Sequence, residues 1–218
     1  MKKLLQGIAD WRKARPEGHA ERFAELALGQ APDALLICCA DSRVAPNVFA
    51  SVEPGDLVVV RNLGNLVPIH LPPTSDRMGA SVPAAIEFAL HALHVQDVIV
   101  CGHSDCGAMR ALTTGVLPEG APHLRAWLRH GQPALKDLGP CPAGIEPHNH
   151  LSRRSVRLQL DNLRTYPAVR EAEAAGRLRL HAWWFDIHKA EVLDFDAATD
   201  RYEVLDTARV ERLLAQRG

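Results

Sequence analysis

Short apolar runs alternate along the chain with longer segments whose hydrophobic positions recur every three or four residues. The runs at 34–39 (ALLICC), 56–62 (DLVVVRN), 97–103 (DVIVCGH) and 177–187 (RLRLHAWWFDI) are dominated by Val, Ile, Leu and aromatic residues. Runs of this kind read as strands buried on both faces. Between them, 20–30 (AERFAELALGQ), 79–94 (GASVPAAIEFALHALH), 106–115 (CGAMRALTTG), 124–131 (LRAWLRHG) and 153–166 (RRSVRLQLDNLRTY) carry helical periodicity. The alternation predicts an α/β fold, a mostly parallel central β-sheet flanked by helices. Residues 190–206 (AEVLDFDAATDRYEVLD) read as a hairpin with an acidic turn that adds an antiparallel edge, and 208–218 as a short polar helix. The Pro-, Gly- and His-rich stretch 115–150 reads as an irregular excursion around one short helix, because apolar runs resume beyond it.

Composition narrows the class. A chain of 218 residues, 47% hydrophobic and 23% charged, is expected to fold as a single domain over 1–218. A formal net charge of −1 argues against nucleic-acid binding through an overall positive field. No apolar run approaches the length of a membrane span. The opening MKKLLQGIADWRKARPEG is broken by Gln6, Asp10 and Arg12, which suits an amphipathic helix of a cytoplasmic protein better than a secretory signal. Five cysteines, an odd number, point to metal ligands, reactive thiols or core packing in a reducing compartment.

The candidate chemistry lies at strand ends. In open parallel sheets, ligands gather at the carboxyl ends of the strands. Three runs end in polar or reactive clusters: CCADSR from Cys38, RNLGN from Arg61 and CGHSDCG from Cys101. His103 and Cys106 stand in H-x-x-C spacing at a strand-to-helix turn, where both can aim at one point, and Gly102 and Gly107 relieve crowding there. Successive strand side chains face opposite ways, so only one of Cys38 and Cys39 can join them. Two cysteines and a histidine suit zinc, and a catalytic zinc keeps a fourth position for water. Asp41 shares a face with Cys39 if the extended geometry persists, and Arg43 can hold its carboxylate through paired hydrogen bonds.

CADSR, RNLGN, GHSDCGAM and VRLQLDNLRTYPAVREAEAAGRLRLHAWWFDI, in that order and spacing, resemble β-class carbonic anhydrases over nearly the whole chain. The resemblance implies one Zn²⁺ per chain on Cys39, His103 and Cys106, with Cys38 left to the core. It implies reversible hydration of CO₂ to bicarbonate and a proton, with Asp41 and Arg43 as the catalytic dyad. In some members the aspartate also reaches the metal in a closed state. Gln30 matches a glutamine that reaches the neighbouring subunit's site. Val58, Leu63 and Gly107 match residues that line or close the CO₂ pocket, and Phe88 stands where many relatives carry Tyr. A homodimer or a larger even-numbered homo-oligomer is implied, with the helices of 1–30 packed on the partner subunit. Members regulated by bicarbonate carry Trp and Gly just before the first zinc cysteine; here those positions are Leu36 and Cys38, so that second site is expected to be absent. Rival readings are a COS or CS₂ hydrolase on the same scaffold, a non-catalytic zinc-stabilised binding module, and a metal-free hydrolase with Cys39 or Cys106 as nucleophile. His148 and His150 in PHNH are expected to be exposed loop histidines, RRSVR a solvated helix face, and Trp183 and Trp184 to pack on opposite faces of their strand.

Overall fold

The computed structural model describes residues 1–72, 80–136 and 138–215. The chain divides into two compact units, Met1–Ala31 and Pro32–Gly218. The first holds α1 (Lys2–Ala14) and α2 (His19–Leu26), and neither helix buries a residue. Leu4, Leu5, Ile8 and Trp11 of α1 recur at helical spacing and are 67%, 60%, 58% and 50% exposed. α2 stops short of the expected Gln30: Leu28 and Gly29 donate to Glu25 and Leu26, tightening its last turn ahead of the extended segment.

The second unit opens with β1 (Ala34–Cys39), α3 (Pro46–Phe49), β2 (Leu57–Asn62) and a 3-10 turn (Leu63–Asn65). It continues through α4 (Ser81–His91), β3 (Asp97–His103), α5 (Gly107–Thr114), α6 (Pro122–Leu128) and α7 (Pro133–Lys136). Then come α8 (Pro147–Arg164), α9 (Pro167–Ala174), β4 (Arg179–Asp186), β5 (Glu191–Asp196), β6 (Arg201–Val204) and α10 (Thr207–Ala215). Gly79 and residues 216–218, the outer ends of two expected helices, lie outside the described residues. The six strands among the described residues lie in the order β2-β1-β3-β4-β5-β6. β2, β1, β3 and β4 run parallel, while β5 and β6 form the antiparallel edge.

Chain direction places the site. β1 connects to β2 on one side and has β3 on the other, so the connections diverge at the carboxyl ends of β1 and β3. That is the switch point where an open α/β sheet leaves a crevice. The register pairs Cys38 with both Arg61 and Cys101, which brings CCADSR, RNLGN and CGHSDCG to one edge. β1 and β3 are buried at every residue, as expected for central strands. β2 is not: as the edge strand it leaves Val59 39% exposed and Arg61 in solvent, a departure from the reading of its run as buried on both faces.

Alternation sorts the apolar side chains as the strand period demands. Leu35 and Ile37 join the largest core cluster with Val98, Val100, Val156 and Trp184. Leu36 and Cys38 join a second cluster with Ile99 and Cys101, against which Trp183 packs, so the two tryptophans do serve opposite faces. Two further expectations are corrected. Pro147 is not in a loop but opens α8, where a missing N–H costs nothing, so PHNH is the first turn of a helix. His148 is accordingly buried, and His150 is half-buried with Nε2 2.8 Å from the Leu138 carbonyl. The RRSVR face is also covered: Arg153 lies 4.2 Å over the Trp184 ring and Arg157 4.4 Å over Phe195, their stems packed and their charge on aromatic faces.

α8 approaches β3 closely enough that Gly102 has no room for a side chain. A Cβ there would stand 2.5 Å from Val156 Cγ2 and 3.1 Å from Trp184 Cδ1, both on buried residues. Ser152 on the same helix donates to the His103 carbonyl at 2.9 Å and accepts from Trp184 Nε1 at 3.0 Å. Gly102→Ala is expected to lower stability by about 1–3 kcal/mol through overpacking. Denaturant unfolding at fixed protein concentration measures it. No helix among the described residues is long and apolar enough to cross a membrane.

Candidate metal centre

Strand alternation, a tight turn and a helix start together assemble three donors. Cys39 ends β1 on the face opposite Cys38, in a third cluster with Leu66, Cys106 and Met109. His103 ends β3 and is fully buried. Cys106 is the N-cap of α5, reached through Ser104 and Asp105, the latter in the left-handed region at φ 54°. The Sγ atoms of Cys39 and Cys106 are 4.0 Å apart, and the ligating atoms of all three residues lie within 4.8 Å of one another.

These donors fit a metal ion. Two sulfurs on one tetrahedral zinc stand about 3.8 Å apart, from a Zn–S distance of about 2.3 Å. His103 Nδ1 is 2.8 Å from the Ser104 carbonyl, which makes it the N–H tautomer there and turns the Nε2 lone pair inward. Among the described residues His103 Nε2 is buried without a hydrogen-bond partner, an arrangement that costs stability unless a cation takes the lone pair. The thiols agree. The two thiols share one proton across their 4.0 Å contact, and with Cys106 as the donor the Cys39 pKa is lowered, with help from the Gly64 and Asp41 N–H groups. Cys106, left with the shared proton and buried, is pushed up, although the Ala108 and Met109 N–H groups at the start of α5 favour its thiolate. A cation between the sulfurs ends that competition by favouring both thiolates. Cys38, across the strand, is raised to about 11 by burial and behaves as a core residue.

The dyad forms by a turn and not by continued extension. β1 stops at Cys39, and Val44 N–H donates to the Asp41 carbonyl at 3.1 Å, closing the turn. Arg43 Nε and Nη2 donate to Asp41 Oδ1 and Oδ2 at 2.9 and 2.7 Å, and the Arg43 backbone N–H adds a third bond at 3.0 Å. That guanidinium holds the Asp41 carboxyl well below the usual carboxylate range. Asp41 Oδ2 ends 4.0 Å from His103 Nε2, beside the three donors.

The sequence singles out RNLGN, but not the supporting contacts that its residues and their neighbours make. Arg61 donates to the carbonyls of Cys39, Asp41 and Val44 at 3.2 Å or less, tying CADSR to the neighbouring strand end. Asn62 closes RNLGN by pairing both ways with the Leu66 backbone. Arg43 Nη2 also donates to the Asp105 carbonyl at 3.1 Å, and the Asp105 N–H donates to Asn149 Oδ1 at 2.7 Å. The Asp105 carboxylate is 3.1 Å from His148 Nε2 and 2.6 Å from His188 Nε2, contacts that lower its pKa. An arginine closing an apolar strand run was the one visible sign of Arg61.

A cavity of about 560 Å³ opens on the centre, walled by Leu63, Ala108, Ala111, Leu117, Leu124 and Leu128 and reaching Cys39, Asp41 and Gly107. Leu63 and Gly107, two of the expected pocket residues, therefore line it. Val58 instead packs partly buried against the largest cluster, and Phe88 is 49% exposed on α4. Gln30 is exposed in the first unit.

Two buried cysteine sulfurs and an imidazole that could hold a metal ion stand at the switch point of a parallel sheet, beside an apolar cavity and a clamped carboxylate, an arrangement that marks an enzyme site of the α/β class. The family model described as carbonic anhydrase matches residues 34–192. A carbonic anhydrase of Pseudomonas aeruginosa is 37% identical over 211 residues, covering 93% of this chain and 90% of its own. The solved β-carbonic anhydrase CcaA superposes with a TM-score of 0.84 at 34% identity, over 95% of this chain and 92% of that one. Tetrameric β-carbonic anhydrases from Sordaria macrospora give 0.76 at 27% identity, over 90% and 96%. The chain belongs to the carbonic anhydrase family, in its β class.

Proposed function

We propose that this chain is a zinc-dependent carbonate dehydratase, holding one Zn²⁺ on Cys39, His103 and Cys106 and interconverting CO₂ and bicarbonate. The observation that carries the reading is the buried, partnerless His103 Nε2 facing two sulfurs 4.0 Å apart. Zinc bound by such a set would supply a Lewis acid that brings a water's pKa to about 7, the value characteristic of carbonic anhydrase zinc as a class. Asp41 accepts a hydrogen bond from the reacting water at Oδ2, which aims the water's lone pair at the carbon of CO₂. Arg43 occupies both carboxylate oxygens and keeps Asp41 from taking the water's place. The apolar cavity favours CO₂ over competing water. Addition of the water oxygen to CO₂ yields bicarbonate, and the proton released passes to solvent or buffer.

Gln30 completes a partner subunit's cavity in this reading, and Val58 and Phe88 line the pocket of the assembled enzyme. A homodimer or larger even-numbered oligomer is supported by the exposed apolar face of α1 and by the tetrameric Sordaria relatives. Residues 1–218 then act as one domain, with 1–30 as an arm on the partner. Leu36 and Cys38 are 1% and 0% exposed in apolar packing, which supports the absence of a second bicarbonate site. Five free cysteines support a cytoplasmic enzyme. Stopped-flow CO₂ hydration and metal content, measured on one purified sample beside COS and CS₂ turnover, test the proposal. One zinc per chain with CO₂ the fastest substrate is expected. Faster sulfide release would favour the hydrolase, and a zinc-loaded chain no better than buffer would leave only a binding module.

A further inference from the structure

Trp127 lies on α6, far from the metal ligands in sequence, and none of its atoms is a ligand. Its indole Nε1–H donates to the Leu63 carbonyl at 2.8 Å. The next atom group along the chain is the Gly64 N–H, which donates to Cys39 Sγ at 3.4 Å. Leu63 C=O and Gly64 N–H are the two ends of one planar peptide group, so a bond at one end sets the direction of the other. Gly64 can present its N–H this way only without a side chain: it sits at φ +78°, and a Cβ would stand 3.1 Å from both Ala108 Cβ and Met109 Cε.

We infer that Trp127 is a positioning residue of the metal centre, which through the Leu63–Gly64 peptide aims and polarises the hydrogen bond to the Cys39 thiolate. A donor at the carbonyl end strengthens the N–H at the other, as in any hydrogen-bonded chain. An N–H aimed at a ligating thiolate draws charge from the sulfur, leaving the metal more electron-poor. Groups that support metal ligands in this way typically change metal affinity or activity by about 10–100-fold when removed. The inference rests on the metal reading of Cys39, His103 and Cys106.

The test uses the cobalt(II)-loaded full chain with Trp127→Phe, and with benzothienylalanine at 127, which keeps the bicyclic shape and removes only the N–H. In both, the thiolate-to-cobalt charge-transfer band is expected to move to lower energy, because the sulfur becomes more electron-rich. CO₂ hydration by the zinc-loaded variants is expected to fall by about tenfold at neutral pH and to recover as pH rises. If Trp127→Phe fails to fold, the benzothienylalanine chain decides. A band unmoved in that chain, with hydration unchanged or reduced equally at every pH, overturns the role given to Trp127. A wild-type chain that takes up no cobalt overturns the metal reading itself.

Discussion

Cys39→Ser is expected to purify with far less than one zinc per chain and to hydrate CO₂ no faster than buffer. A serine hydroxyl stays protonated at neutral pH and gives the metal no thiolate, so two donors remain, His103 Nε2 and Cys106 Sγ. The loss should exceed the roughly 100-fold that removal of a mere supporting hydrogen-bond partner costs. Cys38→Ala is the matched control. Cys38 is fully buried in the second cluster, so the control costs stability while its chain keeps its zinc. Metal analysis of the two proteins checks both halves. Equal zinc in both would mean that the donor set has been misassigned.

Arg43→Ala is expected to reduce CO₂ hydration by about 10²–10³-fold with zinc content unchanged, the size expected for losing one preorganised electrostatic group. The guanidinium makes two side-chain hydrogen bonds to Asp41, at 2.9 and 2.7 Å, and without them the carboxylate is free to turn toward the metal. If the two residues act as a unit, Asp41→Asn added to Arg43→Ala costs little more than either change alone. The pair also predicts a pH dependence. Arg43 depresses the folded-state pKa of Asp41, so the pair's stabilisation is complete above the unfolded carboxylate value of about 3.9 and is lost as pH falls toward the depressed value. The stability difference between wild type and Arg43→Ala should therefore be constant at neutral pH and shrink in acid. Unfolding curves taken from pH 7 downward measure it.

Much of the site was legible because its signals are local. Strand period alone required Cys38 and Cys39 to part company, and H-x-x-C at a strand-to-helix turn already paired His103 with Cys106. Asp41 was legible for a reason that did not hold: the strand ends at Cys39, and a turn delivers the carboxylate instead. The histidines of PHNH were misread because a proline that breaks a helix interior is also a good first residue of one. His148's acidic partner, Asp105, is 43 residues away, beyond any pattern of spacing. Trp127 and Leu63 are 64 residues apart, and the same limit applies to them.

By itself, then, the sequence determined the alternation of strands and helices, the parallel core, and three reactive strand ends, since each depends on periodicity within a few residues. The order β2-β1-β3-β4 was decided only by the tertiary structure, and that order puts two of those ends on either side of the crevice. Tertiary packing also left His103 Nε2 buried without a partner, and threaded one peptide between Trp127 and a thiolate. The physical reason is that burial and hydrogen-bond satisfaction belong to neighbours in space. Only packing settles whether a polar atom finds a partner in the chain or is left aimed at a metal ion.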